Sequence, residues 1–178
     1  MRSQSGLKPL FSNVSRTGVS LGDEIERMSK AFDSIIIDTG GRDSKEMRKA
    51  MLKSNLVIIP TIPSQYDVPV LENMLEIYDE SRQVNEKLLA FVLVNRASPN
   101  PFLFKELENL REFISRIKAE KDLKNVVLLK SSLFERQAYR KAVVEGKSVS
   151  EFCDKNDKAL QDFENFYKEL LKSVEERL

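Results

Sequence analysis

The chain of 178 residues contains no histidine and a single cysteine, Cys153. The first absence excludes imidazole-based zinc sites and every catalytic pair that relies on histidine; the second excludes an intrachain disulfide. Such usage suits a reducing, cytoplasmic compartment. Glycine and proline number six each, too few for a linker-rich or low-complexity chain. No run approaches the ~18 apolar residues that a membrane span needs, and Met1 to Leu10 lacks the apolar core of a secretory signal, so no membrane partner is expected. Charge of one sign is also lacking. The 29 basic and 28 acidic residues nearly cancel, and any case for a nucleic-acid partner must come from local clustering. Two stretches do lean basic: residues 42–53 and 130–147 each carry five Lys or Arg against two acids.

What is present is 41% hydrophobic and 32% charged residues, the make-up of an ordered, helix-rich globular chain with one core. Residues 1–20 read as a weakly anchored lead-in. From Leu21, the apolar positions Leu21, Ile25, Met28 and Phe32 draw one helix face. Ser34-Ile35-Ile36-Ile37-Asp38 is a β-branched run without alternation, the pattern of a strand buried on both faces. A helix follows from an N-cap at Ser44 to Lys53, then a second buried strand at Leu56–Pro60, and a helix from about Val68 to Val84. Leu88–Val94 predicts a third strand, Phe102 to about Lys121 an amphipathic helix, and Val126–Leu129 a fourth strand. Phe134–Val144 predicts a short helix ended by Gly146, Ser148 a further cap, and Asp154–Leu178 a long closing helix. Alternation of this kind implies an α/β fold with a mostly parallel sheet of about four strands flanked by helices and a helical C-terminus. The expected organisation is one domain over residues 21–152 with the helix of 153–178 packed on it.

Ligands of parallel sheets sit beyond the carboxyl ends of the strands, which singles out residues 38–42, 61–67, 95–100 and 130–136. At the first of these, Asp38 is followed by Thr39, Gly40 and Gly41. A carboxylate at the end of a buried strand can hold a hydrated magnesium ion while paired glycines let the backbone approach a phosphate; equally, such an aspartate can simply cap a turn. Asp-Thr-Gly also marks aspartic proteases, but those need two such aspartates on an all-β frame, and this sequence offers one on a helix-rich frame. Asn95 can read an adenine edge or serve as a turn residue. Arg136, Arg140 and Lys141, close to one helix face, can contact DNA phosphates or form a solvated basic face. Tyr139 reads as packing, and Cys153 as an unactivated thiol.

Taken in order, four segments resemble the ParA/MinD-type partitioning ATPases: Phe32 to Ser44 is similar to their switch segment, Leu56 to Asp67 to the next strand and its proline-bearing loop, Phe91 to Arg96 to the strand whose final Asn contacts adenine, and Arg136 to Val149 to the closing basic helix and turn. The resemblance spans about residues 20–152. It implies a P-loop NTPase-like fold, ATP and Mg2+ as cofactors, Asp38 as the catalytic, magnesium-side carboxylate acting through water, and Thr39, Gly40, Gly41, Asn95 and Arg96 at the nucleotide. It further implies non-specific DNA bound through Arg136, Arg140 and Lys141, a ParB-like centromere-binding adaptor, and a homodimer. One departure is Gly40, where many members carry proline.

The other departure is larger. The family cradles its phosphates in a glycine-rich, lysine-bearing loop upstream of the magnesium-side aspartate, and no Gly-x-x-x-x-Gly-Lys arrangement occurs here. The expectation is a ParA-like DNA-partitioning ATPase in an N-terminally truncated version of the fold that does not turn over ATP alone; the alternative is a non-catalytic remnant or fragment that acts as a DNA- or partner-binding module. In the family the P-loop strand lies between the strands of Asp38 and Val57. Its loss is expected either to leave a gap in the sheet or to make those two strands pair directly through a right-handed crossover.

Overall fold

The computed structural model describes residues 6–15, 17, 18, 20–40 and 43–177. Three parallel strands, β1 (Leu56–Thr61), β2 (Leu89–Ala97) and β3 (Val126–Phe134), form a sheet in the order β1-β2-β3. Helices α1 (Leu21–Ser29) and α2 (Lys45–Lys53) precede β1, α3 (Val68–Arg82) joins β1 to β2, and α4 (Phe104–Glu120), entered through a 3-10 turn at Pro101–Leu103, joins β2 to β3. After β3 come α5 (Gln137–Val144), α6 (Val149–Phe152) and α7 (Lys158–Glu175).

β2 is the centre of the molecule because both its faces are apolar. Ala90, Val92 and Val94 pack with Leu71, Leu75, Tyr78, Leu110 and Ile114 of α3 and α4, and α2 adds Met47 and Met51 to the same layer. On the other face Leu89, Phe91 and Leu93 meet Phe163, Phe166 and Leu170 of α7. Every residue from Leu89 to Val94 is therefore buried, which explains a run with no polar alternation. The Tyr78 hydroxyl, pushed up to about 12 by burial, donates toward the carbonyls of Leu88 and Asn125, binding α3 to the entry of β2 and β3.

Caps fall where the residue types demand them. Ser44 Oγ accepts the Met47 amide at the start of α2, and Ser148 and Glu151 form a reciprocal capping box on α6. Gly146, at φ 70°, ends α5 in the left-handed conformation that glycine adopts without strain.

The sheet has three strands, not about four. Residues 34–40 form neither strand nor helix, and Ile36 is 95% exposed. The Ile35–Ile37 run has β propensity, but a strand exists only through a neighbour, and no described strand lies beside it. β1 is an edge. The Asn55 carbonyl accepts the Leu89 amide at 3.0 Å, so by strand alternation Val57, Ile59 and Thr61 turn their peptide groups toward β2, and Leu56, Ile58 and Pro60 turn theirs outward. Pro60 thus places its missing N–H on the open side, where no ladder bond is lost. Of the two outcomes expected for the sheet, direct pairing of the Asp38 segment with β1 does not occur.

Two boundaries also differ from expectation. β3 continues to Phe134, so α5 begins only at Gln137, and the C-terminal helical region is broken at Cys153–Asp157, where Asp157 Oδ1 accepts the Ala159 amide to start α7. The longer β3 contains a bulge: Val92 pairs with Leu128 and Val94 with Ser132, so two steps on β2 face four on β3. Backbone groups freed by a bulge need other partners. Arg111 of α4 donates to the carbonyls of Leu129 and Lys130 and to Ser132 Oγ at 2.9, 2.6 and 3.0 Å. From α7, the Glu169 carboxylate accepts the amides of Lys130 and Ser131, both at 2.7 Å, and the Ser131 hydroxyl at 2.6 Å.

Candidate functional site at the strand exits

The parallel strands open their carboxyl ends on one edge of the sheet, with β1 leaving at Thr61, β2 at Ala97 and β3 at Phe134. Near the end of β2, half-buried Asn95 turns its Oδ1 to the Arg96 amide, which donates at 3.0 Å. Arg96 holds a φ of 52°, in the left-handed region, and this local bond offsets part of the strain of a residue with a Cβ there. The guanidinium of Arg96 reaches Glu135, just past β3, at 3.4 Å, and the guanidinium of Arg140 on α5 donates to the same Glu135 oxygen at 2.6 Å. The structure therefore brings Arg96 and Arg140 together over one shared carboxylate, with Asn95 bonded to the Arg96 amide beside them. These pairs are open to water, so each contributes at most about 1 kcal/mol and leaves the guanidiniums exchangeable.

Lys141 is exposed, and with Arg140, Val144 and Glu145 it rims a cleft of about 250 Å³. Arg136 is not on that rim. Its Nε donates to Asp162 of α7 at 2.9 Å and its guanidinium lies 5.2 Å from the centre of the Phe134 ring. The two side chains of this pair are only 22% and 15% exposed, which makes it a tie between the end of β3 and α7. Tyr139 also faces α7: its hydroxyl donates to the Ala159 carbonyl at 2.8 Å, and burial pushes it up to about 12. Burial and then Asp157 push the Cys153 thiol up, the direction of an unreactive cysteine.

Asp38, Thr39 and Gly40 stand exposed outside the sheet; Gly41 and Arg42 lie outside the described residues. A side chain built at Gly40 would meet nothing within 4 Å, so no close backbone approach requires glycine there. Among the described residues no group of three or more acidic or cysteine side chains converges to hold a metal ion. One carboxylate on an unpaired segment supplies one ligand, and the residues present do not fit a complete magnesium–triphosphate site. Following β1, the loop at residues 62–67 is held by its own bonds: Ser64 Oγ accepts the Tyr66 amide, and Asp67 occupies the N-cap position of α3 without a side-chain capping bond.

Glu135 was not among the residues singled out in the sequence. Its role comes from the strand exits of β2 and β3 lying side by side, and a lone carboxylate preceding a basic run gives no local sign of it.

No protein-family profile matches the chain. It is similar to the maintenance of carboxysome distribution protein A of Halothiobacillus neapolitanus (strain ATCC 23641 / c2), at 25% identity over 123 residues, which covers 69% of this chain and 52% of that protein. The chain thus spans about half the length of the curated relative it matches. Among the described residues, no helix is long and apolar enough to cross a membrane.

Proposed function

We propose that this chain is the base-side and effector-side portion of a ParA-like positioning system, binding DNA phosphates and a ParB-like adaptor without hydrolysing ATP on its own. The observation that carries this reading is the convergence of Asn95, Arg96 and Arg140 at the neighbouring exits of β2 and β3, where parallel α/β sheets gather their ligands. Support also comes from the order of the resembling segments along the chain, and from similarity to a protein named for maintaining carboxysome distribution.

Roles divide by geometry. Arg140 and Lys141 are the exposed cations that meet phosphates, and a phosphate competes with Glu135 for the Arg140 guanidinium. Arg136 holds α5 and β3 against α7, and so sets where Arg140 points. Asn95 and Arg96 are the base-side pair. Asp38 is the magnesium-side carboxylate only where a phosphate-binding loop stands beside it; ATP and magnesium act in the homodimer of such a complete assembly. No catalytic step is assigned to this chain.

Filter binding of a random-sequence DNA duplex to the purified chain at two salt concentrations tests the proposal. Affinity should fall steeply with salt, and the double change Arg140→Glu and Lys141→Glu should weaken binding about tenfold or more at low salt. DNA binding indifferent to both salt and these changes would sink the phosphate-binding reading. Magnesium-dependent ATP turnover by the 178-residue chain would sink the non-catalytic one.

A further inference from the structure

A groove of about 360 Å³ lies between the loop after β1 and the first half of α4, toward the lower end of the size range of recognition pockets. Its floor is apolar, with Val68 and Phe113, and its rim carries the side chains of Gln65, Tyr66, Glu106 and Asn109. Glu106 is the one charged residue in the lining, which contains no lysine or arginine. Among the described residues, the Gln65, Glu106 and Asn109 side chains make no hydrogen bond. Tyr66 is 90% exposed, and the turn leading into α4 displays Phe102 at 92% exposure. Aromatic rings left in water beside unpaired polar groups are the composition of a protein-recognition surface.

We propose that this groove docks an extended peptide segment bearing a lysine or arginine, whose cationic head meets Glu106 and whose stem lies against Tyr66 and Phe113. Charge complementarity selects the cation. The Phe113 ring already takes part in a contact with a cation, since the Arg116 guanidinium lies 5.6 Å from its centre. The two free amides select a peptide over a simple amine. Asn109 and Gln65 each offer a donor and an acceptor, the pair that a peptide backbone matches. Neither the strand-exit cluster nor DNA enters this inference, so it stands or falls apart from the proposed function.

The test is an NMR titration of the full chain, labelled with 15N, using an octapeptide pool with a fixed central arginine and Leu, Ser or Tyr elsewhere. A second pool carries glutamine in place of the arginine, and agmatine serves as a small cation. The arginine pool should shift the amide signals of Tyr66, Asn109 and Phe113 and bind about fivefold more tightly than the glutamine pool. Glu106→Gln should abolish that preference, and Tyr66→Ala, at an exposed position, should weaken both pools. Equal affinity for the two pools, no binding by either, or shifts confined to other regions would overturn the proposal. Agmatine binding as tightly as the arginine pool would replace the peptide site with a small-amine site.

Discussion

Arg111 and Glu169 hold the same short stretch of β3 from opposite faces of the sheet, the guanidinium taking the carbonyls of Leu129 and Lys130 and the carboxylate taking the amides of Lys130 and Ser131. Each compensates for ladder bonds that the bulge opposite Val92–Val94 breaks. Arg111→Ala or Glu169→Ala should each cost about 1–3 kcal/mol, because truncation leaves backbone groups without partners. The double variant should depart from additivity by about 0.5 kcal/mol or more, since both act on one backbone segment. Urea denaturation of the three variants measures this; strict additivity would show that the two contacts are independent.

The same carboxylate makes stability depend on pH. Burial raises the Glu169 carboxyl, but hydrogen bonds from the Ser131 hydroxyl and from the Lys130 and Ser131 amides outweigh it and leave the group below the ordinary glutamate range. A depressed folded pKa means that its stabilisation is fully present above the ordinary glutamate range and is lost as pH falls through the depressed value. Glu169→Gln should therefore reduce stability at neutral pH and flatten the acid limb of the stability curve, as read from urea midpoints between about pH 7 and 3. An acid limb unchanged by the substitution would remove Glu169 from the account.

Arg136 and Arg140 should separate cleanly. Arg136→Ala removes one partner of the half-buried pair with Asp162 and the stacking on Phe134, and should cost about 1–3 kcal/mol of stability. Arg140 is 74% exposed and, among the described residues, is paired with exposed Glu135. Its change to alanine should leave stability within about 0.5 kcal/mol while lowering DNA retention. Thermal melts beside filter binding distinguish the two, and the reverse pattern would place the DNA surface at Arg136.

Ile36 and Ile59 make a sharper contrast. Both belong to β-branched runs, but Ile36 is 95% exposed and Ile59 is 5% exposed within the core. Ile36→Lys should alter stability by no more than about 0.5 kcal/mol, whereas Ile59→Ala should cost about 2–4 kcal/mol. Marked destabilisation by Ile36→Lys would mean that the segment is buried in solution.

Where an apolar run had a partner strand, its pattern was legible. Leu56–Pro60, Leu88–Val94 and Val126–Leu129 needed no more than their hydrophobicity to be placed, whereas the polar end of β2, Asn95–Ala97, did not read as strand; Ser44, Gly146 and Ser148 announced their caps. Ile35–Ile37 carries an equally strong local pattern and makes no strand, because propensity is realised only through neighbours that the run itself cannot specify. The polar end of β3, Lys130–Phe134, was unreadable for the opposite reason: its partners are Arg111 and Glu169, distant in the chain and ordinary in their local setting. At the candidate site, Asn95, Arg96 and Arg140 could be singled out from the sequence. The meeting of the two arginines over Glu135 depends on adjacent strand exits and could not. Arg136 looked equivalent to Arg140 by helical spacing, yet it lies at the N-cap position of α5, where the side chain is free to swing to Asp162.

The outward-facing side of β1 bears on how copies of the chain behave at high concentration. Leu56 and Ile58 present amides there, but Pro60 presents a carbonyl alone, so a ladder growing along this edge runs out of donors toward the carboxyl end. Neighbouring molecules can align over only a short stretch before the match fails. A single imino acid thus acts as a terminator against fibrous stacking, and its replacement by a residue with an N–H would lengthen the adhesive strip where Ile58 already meets solvent.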